Sequence, residues 1–335
     1  MLKRLSTLLL LITIFSESPL YAAPHKAAIA SAHPLATAAG FEVLAKGGNV
    51  YDAAVAVSAA LAVLEPNGSG LGGGGYWLLH RQKDGFETMI DGREKAPLAA
   101  HKDMFLDKDG QVIPKLAVDG ALAAAIPGLP AALVHIAEHY GQLPLAVSLA
   151  PAIRYAKTGF AISDHYLNIL KVRADVLNAY PDSAAIFLNN GKLPELYSIL
   201  RQADLAQTLE RLVESGWDGF YSGVIADKLV SSVQQAGGIW TKADLAAYQV
   251  IERAPVKGVY QGITITSAAP SSSIIEKCVV LMPSGCTFIS PDNNSLGSAL
   301  SRRRLLRMPA AYSSFNKRFT GISIKSGSPK YKERS

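Results

Sequence analysis

Cysteine is nearly absent from this chain. There are two, Cys278 and Cys286, both near the C-terminal end. Residues 1–273 hold none, which excludes a thiolate nucleophile, a cysteine zinc cluster and a disulfide scaffold there. Charge is sparse as well: 18% of the residues are charged and 49% are hydrophobic, so the 335 residues can bury a sizeable core in one large domain or two small ones. Long apolar runs are missing. Beyond the first 23 residues no stretch reaches the roughly 20 apolar residues that a spanning helix needs. Nucleotide signatures are missing too. No G-x-G-x-x-G sits between a strand and a helix with an acid about 20 residues on, and no Gly-Lys-Ser/Thr follows a glycine run.

Basic residues are unevenly placed. Eleven lie beyond Ser273 with three acids, so that tail carries +8 of the formal +6 and residues 1–273 carry −2. The tail, residues 274–335, has no sustained helical or strand period. Its Arg302-Arg303-Arg304 run and Ser-rich end predict a solvated, disordered segment. A nucleic-acid-binding tail is the alternative. No zinc knuckle or aromatic-interleaved platform supports it, so no nucleic-acid partner is expected. At the other end, Lys3 and Arg4 precede an apolar core over 8–15 and a possible cleavage region at Leu20-Tyr21-Ala22-Ala23. That pattern predicts a signal peptide over 1–23 and export to the periplasm or the outside. An N-terminal anchor or a buried helix is the other reading.

The stretch over 67–97 stands out. Gly72-Gly73-Gly74-Gly75 precedes apolar Tyr76-Trp77-Leu78-Leu79, and Asp91-Gly92-Arg93-Glu94-Lys95-Ala96-Pro97 follows a short charged turn. Four consecutive glycines are costly unless the chain needs φ > 0 or close backbone approach. A plain flexible loop is the alternative. The pattern predicts a glycine loop feeding a buried strand, with a second strand ending near Arg93.

The remaining elements read in order. A strand is predicted over 27–31 and a helix over 35–46, stopped at Gly47-Gly48-Asn49. A second helix, apolar all round and therefore buried, starts at Asp52 and runs to Leu64. A turn falls at Asp107-Lys108-Asp109-Gly110. Helices follow over 131–140, 144–159 with Pro151 near the middle, 164–180, 204–215 and 221–236. Thr241 with Asp244 three residues on reads as a capping box. Strands are predicted over 250–256 and 259–266 with Lys257-Gly258 between them. His135 and His139 share one helix at a metal-compatible spacing. No third ligand is near and Glu138 has the wrong phase, so packed or solvated histidines are the better reading.

Taken together, the landmarks over 27–273 resemble the large subunit of the γ-glutamyltranspeptidases (glutathione hydrolases). They are Ala39-Gly40 through Gly47-Gly48-Asn49, Asp52-Ala53-Ala54-Val55-Ala56-Val57, Leu71 with the glycine run, and Asp91 to Pro97. Further on come Asp103-Met104-Phe105, Pro127-Gly128, Phe220-Tyr221-Ser222-Gly223, Gly237-Gly238, Asp244-Leu245-Ala246-Ala247-Tyr248 and Ala269-Pro270-Ser271-Ser272. The resemblance implies an α/β (α+β) fold, the αββα sandwich of an N-terminal-nucleophile hydrolase, here its large-subunit part over 24–273. It implies glutathione and other γ-glutamyl compounds as donors, amino acids or peptides as acceptors, and no cofactor or metal. It also implies that Arg93 binds the donor α-carboxylate, with Asp91 and Glu94 orienting or structural.

The departure from the family is equally plain. The family's nucleophile is a threonine in a Thr-x-His segment of a small subunit, and no threonine here has that context. No catalytic residue is therefore assigned, and a small subunit is expected as a missing partner. The family pattern stops at Ser273, where basicity jumps and both cysteines follow. A reading-frame shift near Ser273 accounts for all three. The expectations are a chain inactive by itself, a non-catalytic γ-glutamyl-binding fragment, or a degenerate product without function.

Overall fold

The computed structural model describes residues 27–260, 262–270 and 287–289. The expected leader, nearly all of the basic tail and both cysteines lie outside the described residues. The chain divides into two units, Met1–Thr287 and Phe288–Ser335, and every site below belongs to the first.

Helices α1 (Pro34–Ala45) and α2 (Val50–Leu64) form a hairpin. Pro34 opens α1 with its preset φ, and the His33 ring accepts a hydrogen bond from Leu35 N at 3.2 Å. Gly47 at φ +88° ends it. A capping box starts α2. The Asn49 side chain accepts from the Tyr51 and Asp52 amides, and Asp52 accepts from Asn49 N at 2.8 Å. The helix therefore begins at Val50, two residues before the expected start, because Asp52 is its third residue and not its cap. α2 is buried along most of its length and packs against α1, α3 (Leu129–Tyr140) and α4 (Leu145–Thr158). Asp52 is fully buried. Its carboxylate also accepts from Gln142 N at 3.0 Å and Leu143 N at 3.3 Å, which ties α2 to the α3–α4 connection.

Strands β1 (Gly75–Arg81) and β2 (Phe86–Gly92) form an antiparallel hairpin in the register Gly75↔Gly92 to Arg81↔Phe86. β5 (Ile251–Arg253) adds to β2, with Met89 opposite Arg253 and Asp91 opposite Ile251, giving the sheet order β1-β2-β5. α3 packs on β2. Leu79, Ile90 and α3 residues Ala132, Leu133 and Ile136 share one core.

Beyond α4 come β3 (Phe160–Ala161), α5 (Asp164–Asn178), α6 (Pro181–Phe187) and β4 (Ile199–Leu200), with β3 and β4 paired antiparallel. Then follow α7 (Ala203–Ser215), α8 (Asp218–Tyr221), α9 (Gly223–Gln235) and α10 (Lys242–Ala246). β6 (Val256–Tyr260) and β7 (Ile263–Ser267) form a hairpin, and β8 is Thr287–Ile289. Among the described residues no helix is long and apolar enough to cross a membrane.

Three expectations need correction, and two short strands were not foreseen. Residues 27–31 form no strand; Ser31 Oγ turns the chain by bonding His33 O at 3.0 Å and Thr37 Oγ1 at 2.8 Å. The helix expected over 221–236 is α9, which begins at Gly223 and not at Tyr221, because the Ser222 backbone is extended and its hydroxyl bonds Asp218 O at 3.0 Å; Tyr221 instead ends the short α8. Lys257 and Gly258 lie inside β6, not between strands. The turn falls between Tyr260 and Ile263, where Gly262 sits at φ +79°, and Pro255 precedes β6. The strands β3 and β4 carry no two-residue alternation long enough to read.

Candidate functional site

Arg93 follows the last residue of β2, and its backbone is held from both sides. Asp91, buried in the sheet, accepts from Arg93 N at 3.1 Å, as aspartate does in a turn two residues before its partner. The same carboxylate accepts from Arg253 Nε at 2.7 Å, an ion pair carried by β5. Tyr248 Oη donates to Arg93 O at 2.8 Å. The Arg93 side chain is 59% exposed. Its Nη1 lies 3.2 Å from Glu94 Oε2, off the hydrogen-bond axis, and that buried oxygen accepts no hydrogen bond.

The glycine loop packs directly against this turn. A methyl group on Gly74 would sit 2.3 Å from Gly92 O, 3.0 Å from Glu94 N and 3.2 Å from Arg93 C. One on Gly128 would sit 2.1 Å from both Gly92 O and Tyr248 Oη. Gly73 O accepts from Gly128 N at 2.9 Å and Leu129 N at 3.0 Å, so the loop also satisfies the first amides of α3. Of the two readings of the glycine run, close backbone approach holds at Gly74. Gly72 has nothing within 4 Å of an added methyl.

Beneath the turn lies an aromatic stack. The Tyr248 ring lies 5.4 Å from Tyr221 at 9°, and Tyr221 lies 4.9 Å from Trp217 at 17°. Tyr221 Oη donates to Pro127 O at 2.9 Å and accepts from Ala131 N at 3.2 Å. Lys95 Nζ sits 5.0 Å over the Tyr248 ring and donates to Gln249 O at 3.1 Å. Burial raises the Tyr248 hydroxyl well above the usual tyrosine range, and the Asp91 and Glu94 charges add to the effect. It is therefore a fixed donor at any ordinary pH.

The two histidines are placed elsewhere. His135 Nε2 lies 2.7 Å from Glu252 Oε1, which also accepts from Tyr140 Oη at 2.7 Å, and the His135 and His139 rings stack at 4.2 Å. Among the described residues no group of three or more His, Cys, Asp or Glu is arranged to hold a metal ion. Thr241 is the cap of α10, as its spacing to Asp244 predicted. Sequence reasoning named Arg93, Asp91 and Glu94 and missed Tyr248 and Arg253 as the groups that seat Arg93. The available signal for Tyr248 was the capping box, which starts the helix that delivers it. The arrangement offers an exposed guanidinium on a fixed backbone, a geometry suited to bidentate carboxylate binding.

The family model of gamma-glutamyltranspeptidase matches residues 36–283, about three quarters of the chain. The chain belongs to the γ-glutamyltranspeptidase family. The glutathione hydrolase proenzyme of Escherichia coli K12 is 42% identical over 246 residues, which cover 73% of this chain and 42% of that protein. The glutathione hydrolase proenzyme of Bacillus subtilis 168 is 38% identical over 252 residues, with 73% and 42% covered. The chain thus spans less than half the length of these curated relatives. Among solved structures, the Helicobacter pylori γ-glutamyltranspeptidase superposes with a TM-score of 0.71 at 42% identity, covering 73% of this chain and 70% of that one. The Pseudomonas nitroreducens γ-glutamyltranspeptidase complexed with L-DON gives 0.70 at 36%, covering 74% and 72%. The fold class expected from the sequence, the α/β fold of the N-terminal-nucleophile hydrolases, is the one this γ-glutamyltranspeptidase chain adopts.

Proposed function

We propose that this chain is the donor-binding part of a γ-glutamyltransferase and glutathione hydrolase. Arg93 binds the α-carboxylate of the γ-glutamyl group through two parallel charge-assisted hydrogen bonds. The observation that carries the reading is the exposed Arg93 guanidinium on a backbone seated by Asp91 and Tyr248. The nucleophilic threonine, its α-amine acting as base, and the oxyanion-hole amides come from a small subunit. Acyl transfer then passes the γ-glutamyl group to water or to an amino-acid or peptide acceptor. No cofactor takes part. Without the nucleophile the chain binds γ-glutamyl compounds and turns them over negligibly. The lack of any threonine followed two residues later by histidine supports that division of labour. The charged start and apolar core of residues 1–23 support export to the periplasm or the outside.

The test mixes the full chain with a separately produced small subunit of the E. coli relative and follows hydrolysis of L-γ-glutamyl-p-nitroanilide. The mixture is expected to release nitroaniline while the chain alone does not. Arg93→Lys is expected to raise KM by about 10- to 100-fold, the worth of a charge-assisted pair. Equal rates with and without the small subunit would refute the division of labour. An unchanged KM for Arg93→Lys would refute the anchor.

A further inference from the structure

Tyr248 reaches the Arg93 turn from 155 residues further along the chain. Three features set it apart from an ordinary core tyrosine. Its hydroxyl spends its proton on the carbonyl of the very residue whose side chain faces outward. Its ring is clamped between the Lys95 ammonium and the Tyr221 ring, which leaves the hydroxyl little freedom of direction. And Gly128, at the start of α3, must lack a side chain for that hydroxyl to pass, since a methyl there would lie 2.1 Å from it. Asp91 holds the Arg93 amide and Tyr248 holds its carbonyl. The peptide units on either side of the Arg93 Cα are each restrained by a hydrogen bond, and with them the direction of the Cα–Cβ bond.

We infer that Tyr248 is a positioning residue for γ-glutamyl donors: through the Arg93 carbonyl it aims the guanidinium at the donor carboxylate. This rests on the reading of Arg93 as the carboxylate anchor. The selectivity it confers is for donors that carry an α-carboxylate, because a donor without one gains nothing from a well-aimed guanidinium. Tyr221 has no such role. Its hydroxyl joins Pro127 O to Ala131 N and touches nothing at Arg93, so it serves as an internal control.

The experiment is calorimetric titration of the full chain with glutathione and with its analogue in which 4-aminobutyrate replaces the γ-glutamyl residue. Tyr248→Phe keeps the ring, the stack and the lysine contact and removes one hydrogen bond. It is expected to weaken glutathione about fivefold, the size of one ordinary hydrogen bond, and to leave the analogue unchanged. In an Arg93→Ala background the same substitution is expected to change nothing. Tyr221→Phe is expected to lower the melting temperature without altering either affinity. Hydrogen exchange gives a second readout: Tyr248→Phe speeds exchange of the Arg93 amide and Tyr221→Phe does not. If Arg93→Ala abolishes glutathione binding while Tyr248→Phe leaves it intact, the positioning role is overturned and the anchor stands. Equal weakening of both compounds by Tyr248→Phe also overturns the role, since it marks a general scaffold. If the wild-type chain binds no glutathione, or Arg93→Ala binds it normally, both are overturned.

Discussion

Substituting alanine at two positions of the same glycine run should give opposite results. At Gly74 the new methyl would lie 2.3 Å from Gly92 O, where ordinary contact needs about 3.4 Å or more, so something must move on the order of 1 Å. The three nearest atoms are all backbone, of Gly92, Arg93 and Glu94, and none can swing aside as a side chain can. Overpacking of this kind costs about 1–3 kcal/mol, and the upper end applies where backbone must yield. For a folded unit of this size, about 3 kcal/mol lowers the melting temperature by roughly 6–12 °C. At Gly72 nothing lies within 4 Å of the methyl and φ is not in the left-handed region. Alanine there should be neutral or stabilise by about 0.4–1 kcal/mol, because it narrows the unfolded ensemble. Differential scanning calorimetry of the two variants is the assay, with glutathione titration alongside. Gly74→Ala should also weaken glutathione, since the peptides that shift are those that carry Arg93. If Gly74→Ala melts within a degree of Gly72→Ala, the run is a plain flexible loop and the close-approach reasoning fails.

Two further perturbations have definite signs. Asp52→Ala should lower stability in urea by at least about 3 kcal/mol, because the Asn49, Gln142 and Leu143 amides all lose their buried acceptor; a loss under about 1 kcal/mol would show that the carboxylate is dispensable. Asp244 accepts from Leu98 N at 2.5 Å and from Thr241 N and Oγ1, both at 2.6 Å. Burial pushes its carboxyl up, but these hydrogen bonds outweigh that and hold it below the usual aspartate range. A depressed carboxyl contributes stability that is present above its unfolded value, about pH 4, and lost as the pH falls below it. Asp244→Ala should therefore melt well below the wild type at pH 6, and the gap should narrow on acidification toward pH 3; a gap that stays constant would contradict the assignment.

Local devices were the readable part of this sequence. Gly47 ends α1 and the Thr241–Asp244 box starts α10, each because the signal and the structure it specifies lie within a few residues. Asn49 and Asp52 were both visible, but only the pairing of one with the other fixes where α2 begins. The stretch over 250–266 was legible as strands, but as two where the structure has β5 and then the hairpin of β6 and β7. Which glycine turns them was not, because that depends on register: with Val256 opposite Ser267, Gly258 must face Ile265 and the corner falls at Gly262. Arg93 was singled out by its motif as a carboxylate-binding candidate, and the structure places its side chain exposed. What seats it was not legible, since Tyr248 reaches its carbonyl, and Arg253 the Asp91 carboxylate beside it, only once the chain has folded back on itself. The glycine run left two readings open for the same reason, as the obstructing atoms at Gly74 belong to Gly92, the last residue of β2, and to the two residues after it.

The pairing of β5 with β2 has a kinetic consequence. The Asp91–Arg253 contact spans 162 residues, and closing a structureless loop of that length costs on the order of 4 kcal/mol in chain entropy. Contacts so distant in sequence form late, after the α1–α2 hairpin and the β1–β2 hairpin have condensed locally. Arg93 is thus translated early and oriented late. If Arg93 is the donor anchor proposed above, a nascent chain that has not yet delivered Tyr248 and Arg253 carries the arginine without its aim, and ligand affinity in this unit would double as a report that its folding has run to completion.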